Sequence, residues 1–234
     1  MNQIPAISVI VPVHNKDRHL VKNLAPLQRD PRIEVIMVEA EQVSETNRAQ
    51  QMNLGACQAR AQTLVFLHID TLIQLKDLWI IYQKLKEDPS LIGGAFRFQL
   101  DRQHLRARLI QWGVRLRERF FKLPYGDQSI FIRRDVFQEI GGYSDVPILE
   151  DVLLIQAMRK RGELLFYPRP AITSARRWER HGYLKTTLVN WLTMIFWQLG
   201  VSLERIVNFR RRVFHDPVRG DVKKEPARNQ TEAA

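Results

Sequence analysis

Residues 7–13, 33–38 and 63–68 form short runs that are almost purely apolar and rich in β-branched side chains. The stretches between them space their apolar residues as a helix does. Runs of this length without polar alternation read as strands buried on both faces, and strands alternating with helices build βαβ units in a mostly parallel sheet. Pro12 marks the end of the first run. Residues 14–28 put Leu20, Leu24 and Leu27 at helical spacing before the break at Asp30-Pro31, and residues 50–61 put Met52, Ala56 and Ala59 on one helical side. Ligands of such sheets bind beyond the carboxyl ends of the strands. His14, Asn15, Glu39, Glu41, His68 and Asp70 fall at those ends.

The second half of the chain has a different character. Residues 91–100, with Gly93-Gly94, read as an extended segment containing a turn. Leu105, Leu109, Trp112, Leu116 and Phe120 then keep a helical stripe, and Arg102, Arg106, Arg108, Arg115, Arg117 and Arg119 crowd the remaining surface. A basic amphipathic helix of this kind either lies on an anionic membrane or packs on the sheet with its arginines in water. Residues 186–203 carry no charge over 18 positions, which is the minimum for a membrane span. Asn190, Thr193, Gln198 and Ser202 dilute the segment and Gly200 interrupts it. Leu188, Trp191, Leu192, Ile195, Phe196 and Leu199 share one face, which predicts an interfacial or partner-packed helix rather than a spanning one. These readings divide the chain into a main domain over 1–183, a helical extension over 184–213 that meets a membrane or partner, and a disordered tail over 214–234.

Charge and cysteine usage narrow the function classes. The 234 residues carry a net charge of +11, with 11 Lys+Arg against 10 Asp+Glu in residues 1–100 and 25 against 15 in residues 101–234. That asymmetry suits a polyanionic partner (nucleic acid, an anionic membrane face or a phosphorylated substrate) or simply a solvated basic surface. Nucleic-acid binding rests on charge alone, because none of its usual signatures is present. The single Cys57 excludes an intrachain disulfide and a four-cysteine zinc site, and suits a reducing compartment. The N-terminus lacks a basic region followed by an apolar stretch, so a cytoplasmic setting is expected.

Several side chains could carry chemistry. Asp70, just past the third strand, could hold a divalent cation against a diphosphate, or cap a helix. Glu150-Asp151 follow the turn Gly141-Gly142-Tyr143 and open a helical stretch; one carboxylate could accept a proton from a hydroxyl nucleophile, or both could simply favour a helix N-terminus. Arg176-Arg177-Trp178 pair phosphate-binding guanidinium groups with an indole platform, although a charged surface patch would look the same. Tyr125-Gly126-Asp127-Gln128 is a polar turn.

The order of these segments resembles a known family. Val9-Ile10-Val11-Pro12-Val13-His14-Asn15 is similar to the opening strand and loop of family 2 inverting glycosyltransferases, which have the GT-A (Rossmann-like) α/β fold. The segments Arg48-Ala49-Gln50-Gln51-Met52-Asn53-Leu54-Gly55-Ala56, Phe66-Leu67-His68-Ile69-Asp70-Thr71 and Tyr125-Gly126-Asp127-Gln128 with Phe131-Ile132-Arg133-Arg134 resemble a narrower subgroup. So do Leu149-Glu150-Asp151 and Ser174-Ala175-Arg176-Arg177-Trp178-Glu179. This subgroup is the radical-SAM/selenodomain-associated transferases, and the resemblance runs from about Ile7 to Val207.

The resemblance implies a mostly parallel sheet flanked by helices, with a C-terminal helical extension. It also implies roles. Pro12, His14, Asn15, Glu39, Arg48 and Asp70 would bind a nucleotide-sugar donor; Asp70, with His68 at the first position of Asp-x-Asp, would hold Mn2+ or Mg2+. Asp151 would be the base that deprotonates the acceptor, with Glu150 beside it. Asp127, Gln128, Arg176, Arg177 and Trp178 would contact acceptor or phosphate. The reaction would be an inverting sugar transfer to an amphiphilic or lipid-linked hydroxyl, peripheral to the inner membrane face. Ser174 replaces the Gln of the processive Gln-x-x-Arg-Trp motif, which implies single transfer. The segment between Val38 and Arg48 is shorter than in relatives, where a helix and a strand intervene. That shortening supports the alternative of a degenerate, non-catalytic binding or scaffold protein on the same fold.

Overall fold

The computed structural model describes residues 4–43, 47–121 and 126–214, the side chains at 15–16, 115–121 and 126 excepted. The N-terminal half is β1 (Ile7–Val13), a 3-10 helix (Asn15–Leu24), α1 (Ala25–Gln28), β2 (Ile33–Glu39), α2 (Arg48–Gln58) and β3 (Thr63–Phe66). There follow β4 (Thr71–Leu72), α3 (Leu75–Glu87), β5 (Leu91–Leu100), α4 (Leu105–Phe121), β6 (Ile130–Arg133), α5 (Arg134–Glu139), α6 (Glu150–Arg159) and β7 (Glu163–Thr173). Three helices close the described chain: α7 (Arg176–His181), α8 (Tyr183–Gln198) and α9 (Leu203–Phe214).

The strands form one sheet in the order β2-β1-β3-β6-β5-β7-β4. Pairing is parallel for β1 with β2 and β3 and for β5 with β7, and antiparallel where β6 and β4 join. Five of the seven strands therefore run one way and only β6 and β4 oppose them, which meets the expectation of a mostly parallel sheet. Every residue of β1 is buried, as a central parallel strand requires. Its side chains alternate between two cores. Ile10 joins Met52, Leu64, Phe66, Ile130, Phe137 and Ile155 on the face covered by α2, α5 and α6. Val9 and Val11 join Leu27, Val65, Leu78, Ile81, Phe96 and Phe131 on the opposite face, under α1 and α3.

Three local expectations change. Residues 14–28 form a 3-10 helix before α1, because Pro26 has no N–H for the i→i−4 ladder and Ala25 N–H bonds Lys22 instead. β2 is half-buried, with Met37 exposed, because it is the sheet edge. Gly93-Gly94 make no turn but lie inside β5. A Cβ on Gly94 would sit 1.9 Å from the Leu165 carbonyl oxygen, so these glycines permit close approach of neighbouring backbones.

Candidate active site

The exits of β1, β2 and β3 stand side by side. Gln51, buried on α2, donates from Nε2 to the carbonyls of Val13 (3.1 Å) and Val38 (2.7 Å), fastening the first two exits together. Pro12 is buried within β1 and His14 is half-buried just past it. Asn15 begins the 3-10 helix. Glu39 ends β2, caps the short helix Ala40–Gln42 and pairs with Arg18. Its backbone N–H donates to Gln42 Oε1 at 2.6 Å.

Past β3 the chain delivers His68 and Asp70. The His68 Nε2 is buried without a hydrogen bond, and burial, reinforced by the Arg48 cation, pushes the imidazole well below its ordinary pKa and keeps it neutral. Arg176, at the start of α7, donates to the Asp70 carboxylate (3.0 Å) and to buried Asp17 (3.1 Å). A cavity of about 180 Å3 opens beside this triad, lined by His19, Asn23, Asp70, Asp101, Ser174 and Arg176 among others. Ligand clefts commonly enclose roughly 300–1,000 Å3, so this one takes part of a large ligand rather than the whole.

The second cluster stands on α2 and α6. Asn53 Nδ2 donates to the Tyr143 carbonyl (2.8 Å), and the Tyr143 N–H donates back to Asn53 Oδ1 (2.9 Å). Asn47 and Gln50 both donate to the Asp145 carboxylate, at 2.6 and 3.0 Å. These four bonds tie α2 to the turn at Gly141 and Gly142, whose φ values of 81° and 73° suit glycine. Leu149 then takes φ 67° immediately before α6, a left-handed conformation that costs a non-glycine residue roughly 1–2 kcal/mol. Strain held in this way aims the next two side chains, Glu150 and Asp151, from the first turn of α6. Glu150 is buried and lies 3.8 Å from the Arg48 guanidinium. Burial raises the Tyr143 hydroxyl well above its ordinary pKa; the Asp151 and Glu150 charges add to this and Arg48 opposes it. Arg48, His68, Tyr143, Glu150 and Asp151 thus share one electrostatic environment.

Other expected site residues are placed elsewhere. Trp178 is no open platform: it is 8% exposed and packs with Phe98, Leu100, Ala107 and Ala175. Arg177 lies over the Phe214 ring, 5.5 Å from its centroid. Gln128 is buried and donates to the Phe96 carbonyl at 3.0 Å, and Asp127 is half-buried in the same 3-10 turn. Tyr125 and residues 215–234 lie outside the described residues, as does the Asn15 side chain. Sequence reasoning missed Asp17, Gln51, Asn53 and Tyr143 as site-building groups. Their signal was positional: each falls within two residues of a segment already singled out.

Among the described residues no three His, Cys, Asp or Glu side chains cluster to hold a metal by themselves. The residues do fit a cation held mainly by a ligand's phosphate oxygens, for which one carboxylate, Asp70, suffices on the protein side. The unbonded, neutral His68 nearby is compatible with it.

A seven-stranded, mostly parallel sheet of this order flanked by helices is a Rossmann-like α/β fold. Comparison with solved structures agrees: mannosyltransferase PcManGT from Pyrobaculum calidifontis, in complex with GDP-Man and Mn2+, superposes with a TM-score of 0.57 at 14% identity. The match covers 86% of this chain and 65% of that one, so the chain spans just under two thirds of that enzyme's length. S. aureus TarS 1–349 gives a TM-score of 0.47 at 11% identity, over 79% of this chain and 64% of that one. In sequence, no family model and no curated protein matches.

Proposed function

We propose that this chain transfers a sugar from a nucleotide-sugar donor to an acceptor hydroxyl with inversion, as the resemblance to family 2 glycosyltransferases implies. The observation that carries the reading is the placement of Glu150-Asp151, opening α6, in one electrostatic environment with Arg48 and His68, the residue two before Asp70 at the β3 exit. The fold likeness to a mannosyltransferase solved with GDP-Man and Mn2+ supports it.

Asp151 accepts the acceptor's hydroxyl proton as the oxygen attacks the anomeric carbon. The new C–O bond forms on the face opposite the breaking bond to the diphosphate, so one base suffices and no covalent intermediate is needed. Glu150, paired with the Arg48 guanidinium at 3.8 Å, positions that turn of α6. His68 and Tyr143 stay neutral and add no charge to compete with Asp151. A divalent cation bound at Asp70 would supply charge neutralisation to the departing diphosphate. Arg176 adds a fixed guanidinium at the same carboxylate. The acceptor is amphiphilic or lipid-linked, and the reaction takes place at the inner membrane face.

A second reading, a non-catalytic binding protein on the same fold, is favoured by the engagement of Asp70 with Arg176 and by the short segment after Val38. Calorimetric titration with UDP- and GDP-sugars, with and without Mn2+, separates the two. Metal-dependent binding of one donor supports transfer. A well-folded sample that binds none refutes it and favours the second reading.

A further inference from the structure

Two helices of this protein carry exposed apolar stripes in addition to the faces they pack inward. On α8, Leu184, Leu188, Trp191, Ile195 and Leu199 follow i, i+4, i+7, i+11 and i+15 spacing and are 83%, 56%, 51%, 43% and 75% exposed. The same helix buries Thr186, Val189 and Thr193. On α4, Leu105, Leu109 and Trp112 form one stripe, also exposed, whereas Ala107 and Gln111 face inward. A helix packed only for its own domain's stability does the reverse. Large exposed apolar patches of this kind mark interaction surfaces.

The two stripes belong to one side of the molecule. His104, just before α4, bonds the Tyr183 hydroxyl at the start of α8 (3.0 Å). Ala107, Ile110 and Val114 of α4 and Tyr183 of α8 pack on the same small core around Phe98 and Trp178. The two helices also touch directly, while Met194 and Trp197 further along α8 pack on the larger core with Met52 and Phe66, so the exposed stripes belong to neighbouring surface helices.

The charges around the stripes identify the partner. Exposed Arg106 and Arg108 flank the α4 stripe, and exposed Lys185 flanks that of α8. Exposed Arg205 and Arg212 stand on α9, which packs against α8. Between 186 and 203 there is no charge at all. An apolar centre with indoles and a basic rim matches the layering of an anionic bilayer: acyl chains, headgroup depth, then phosphate. A second copy fits poorly, because face-to-face contact would bring two basic rims together. Among the described residues no helix is long and apolar enough to cross a membrane, so α8 would lie along the surface.

We propose that the outer faces of α4 and α8 dock this protein on an anionic lipid bilayer, with Leu188, Trp191, Leu109 and Trp112 inserted and the arginine rim on the phosphates. This deepens the membrane setting of the proposed transfer, but binding does not require the transfer chemistry. The test is co-sedimentation of the full chain with vesicles of phosphatidylcholine alone or mixed with phosphatidylglycerol, alongside tryptophan fluorescence. The expected result is binding to the mixed vesicles with a blue shift, weakened by salt. Leu188→Ser with Trp191→Ser should reduce it at least about tenfold, with the far-ultraviolet circular dichroism unchanged. Equal binding to both vesicle types, or no binding to either, would overturn the proposal. So would a dimer in light scattering that the same substitutions dissolve, which would assign the face to a second copy. The calorimetric titration reads donor binding separately, so failure of one reading leaves the other standing.

Discussion

Asn53 holds the turn that leads to α6 from a distance, and that makes it the sharpest structural test. Its side-chain amide donates to the Tyr143 carbonyl and accepts from the Tyr143 N–H, at 2.8 and 2.9 Å, and Tyr143 itself is buried. Asn53→Ala removes both partners and leaves two backbone groups at a buried residue unsatisfied. Each lost bond is worth about 1 kcal/mol net, rising to about 2 where the orphaned group is partly shielded from water, so the expected loss is about 2–4 kcal/mol. For a domain of this size each kcal/mol lowers Tm by about 2–4 °C, which predicts a fall on the order of 5–10 °C in thermal denaturation. Asn53→Asp keeps the acceptor and loses the donor, so it should lie between wild type and Asn53→Ala. A change below about 1 °C in Asn53→Ala would refute the reasoning, since the turn would then be held by something other than these two bonds. Because the same turn leads to Glu150 and Asp151, transfer should fall in parallel, chiefly in kcat.

Further outcomes follow from individual side chains. Asp151→Asn should abolish transfer, by roughly 10²–10⁴-fold or more as expected for loss of a general base, while leaving donor affinity in calorimetry nearly intact; Asp70→Ala should instead weaken metal-dependent donor binding. Gly94→Ala forces a Cβ to within 1.9 Å of the Leu165 carbonyl oxygen and should destabilise by about 3 kcal/mol or more, read as a lower urea midpoint. Asp30 is held down to about 2 by hydrogen bonds from Arg32 and also from the Trp79 indole. A carboxylate depressed in the folded state contributes stability above its ordinary value of 3.8, and loses it as pH falls towards about 2. Asp30→Asn should therefore be less stable than wild type at neutral pH, with the gap closing as pH falls through that window in urea titrations.

The N-terminal half was legible because each run there obeys a single rule. Residues 7–13 are apolar throughout, and β1 is buried throughout; Met52, Ala56 and Ala59 share a side, and all three are buried. The second half of the sheet was legible only at residues 91–100, read as extended and observed as β5. β6 is four residues long, and β7 carries Pro168 and Pro170, which read against a strand. The sheet accommodates them by a register shift, with Phe96 opposite Tyr167 and Arg97 opposite Pro170. Of the candidate site residues that the resemblance named, Asp70 stands at the β3 exit, Arg176 at the start of α7 and Glu150-Asp151 in the first turn of α6, whereas Trp178 is buried in a core; an aromatic beside two arginines reads alike whether it faces a cleft or a core. The stripes of α4 and α8 were visible as periodicity, yet periodicity gives a face and not its direction. Only the burial of Gln111, Thr186 and Thr193 shows which way the helices are turned.

The short connection after Val38 bears on which part of a donor this site can grip. β2 is the sheet edge, and α2 packs directly on β1 and β2, so among the described residues no strand lies beyond β2 to extend the floor under a nucleobase. Nor is the edge a gap. Gln51 fastens the two strand exits, and Glu39 is occupied by Arg18 and by the turn it caps. Under the proposed function, donor affinity would come mainly from the diphosphate end, where Asp70 and Arg176 stand together at 3.0 Å. The expected outcome is weak base discrimination: UDP and GDP should bind within about tenfold of each other, a difference of about 1.4 kcal/mol or less. Removing one phosphate, as in UMP against UDP, should cost more than exchanging the base, because it deletes the group that the cation and the guanidinium both address. Competition calorimetry across the three nucleotides reads both differences at once. A preference for one base well beyond tenfold, with UMP binding as tightly as UDP, would show that the edge at Glu39 grips the base and that the diphosphate argument fails.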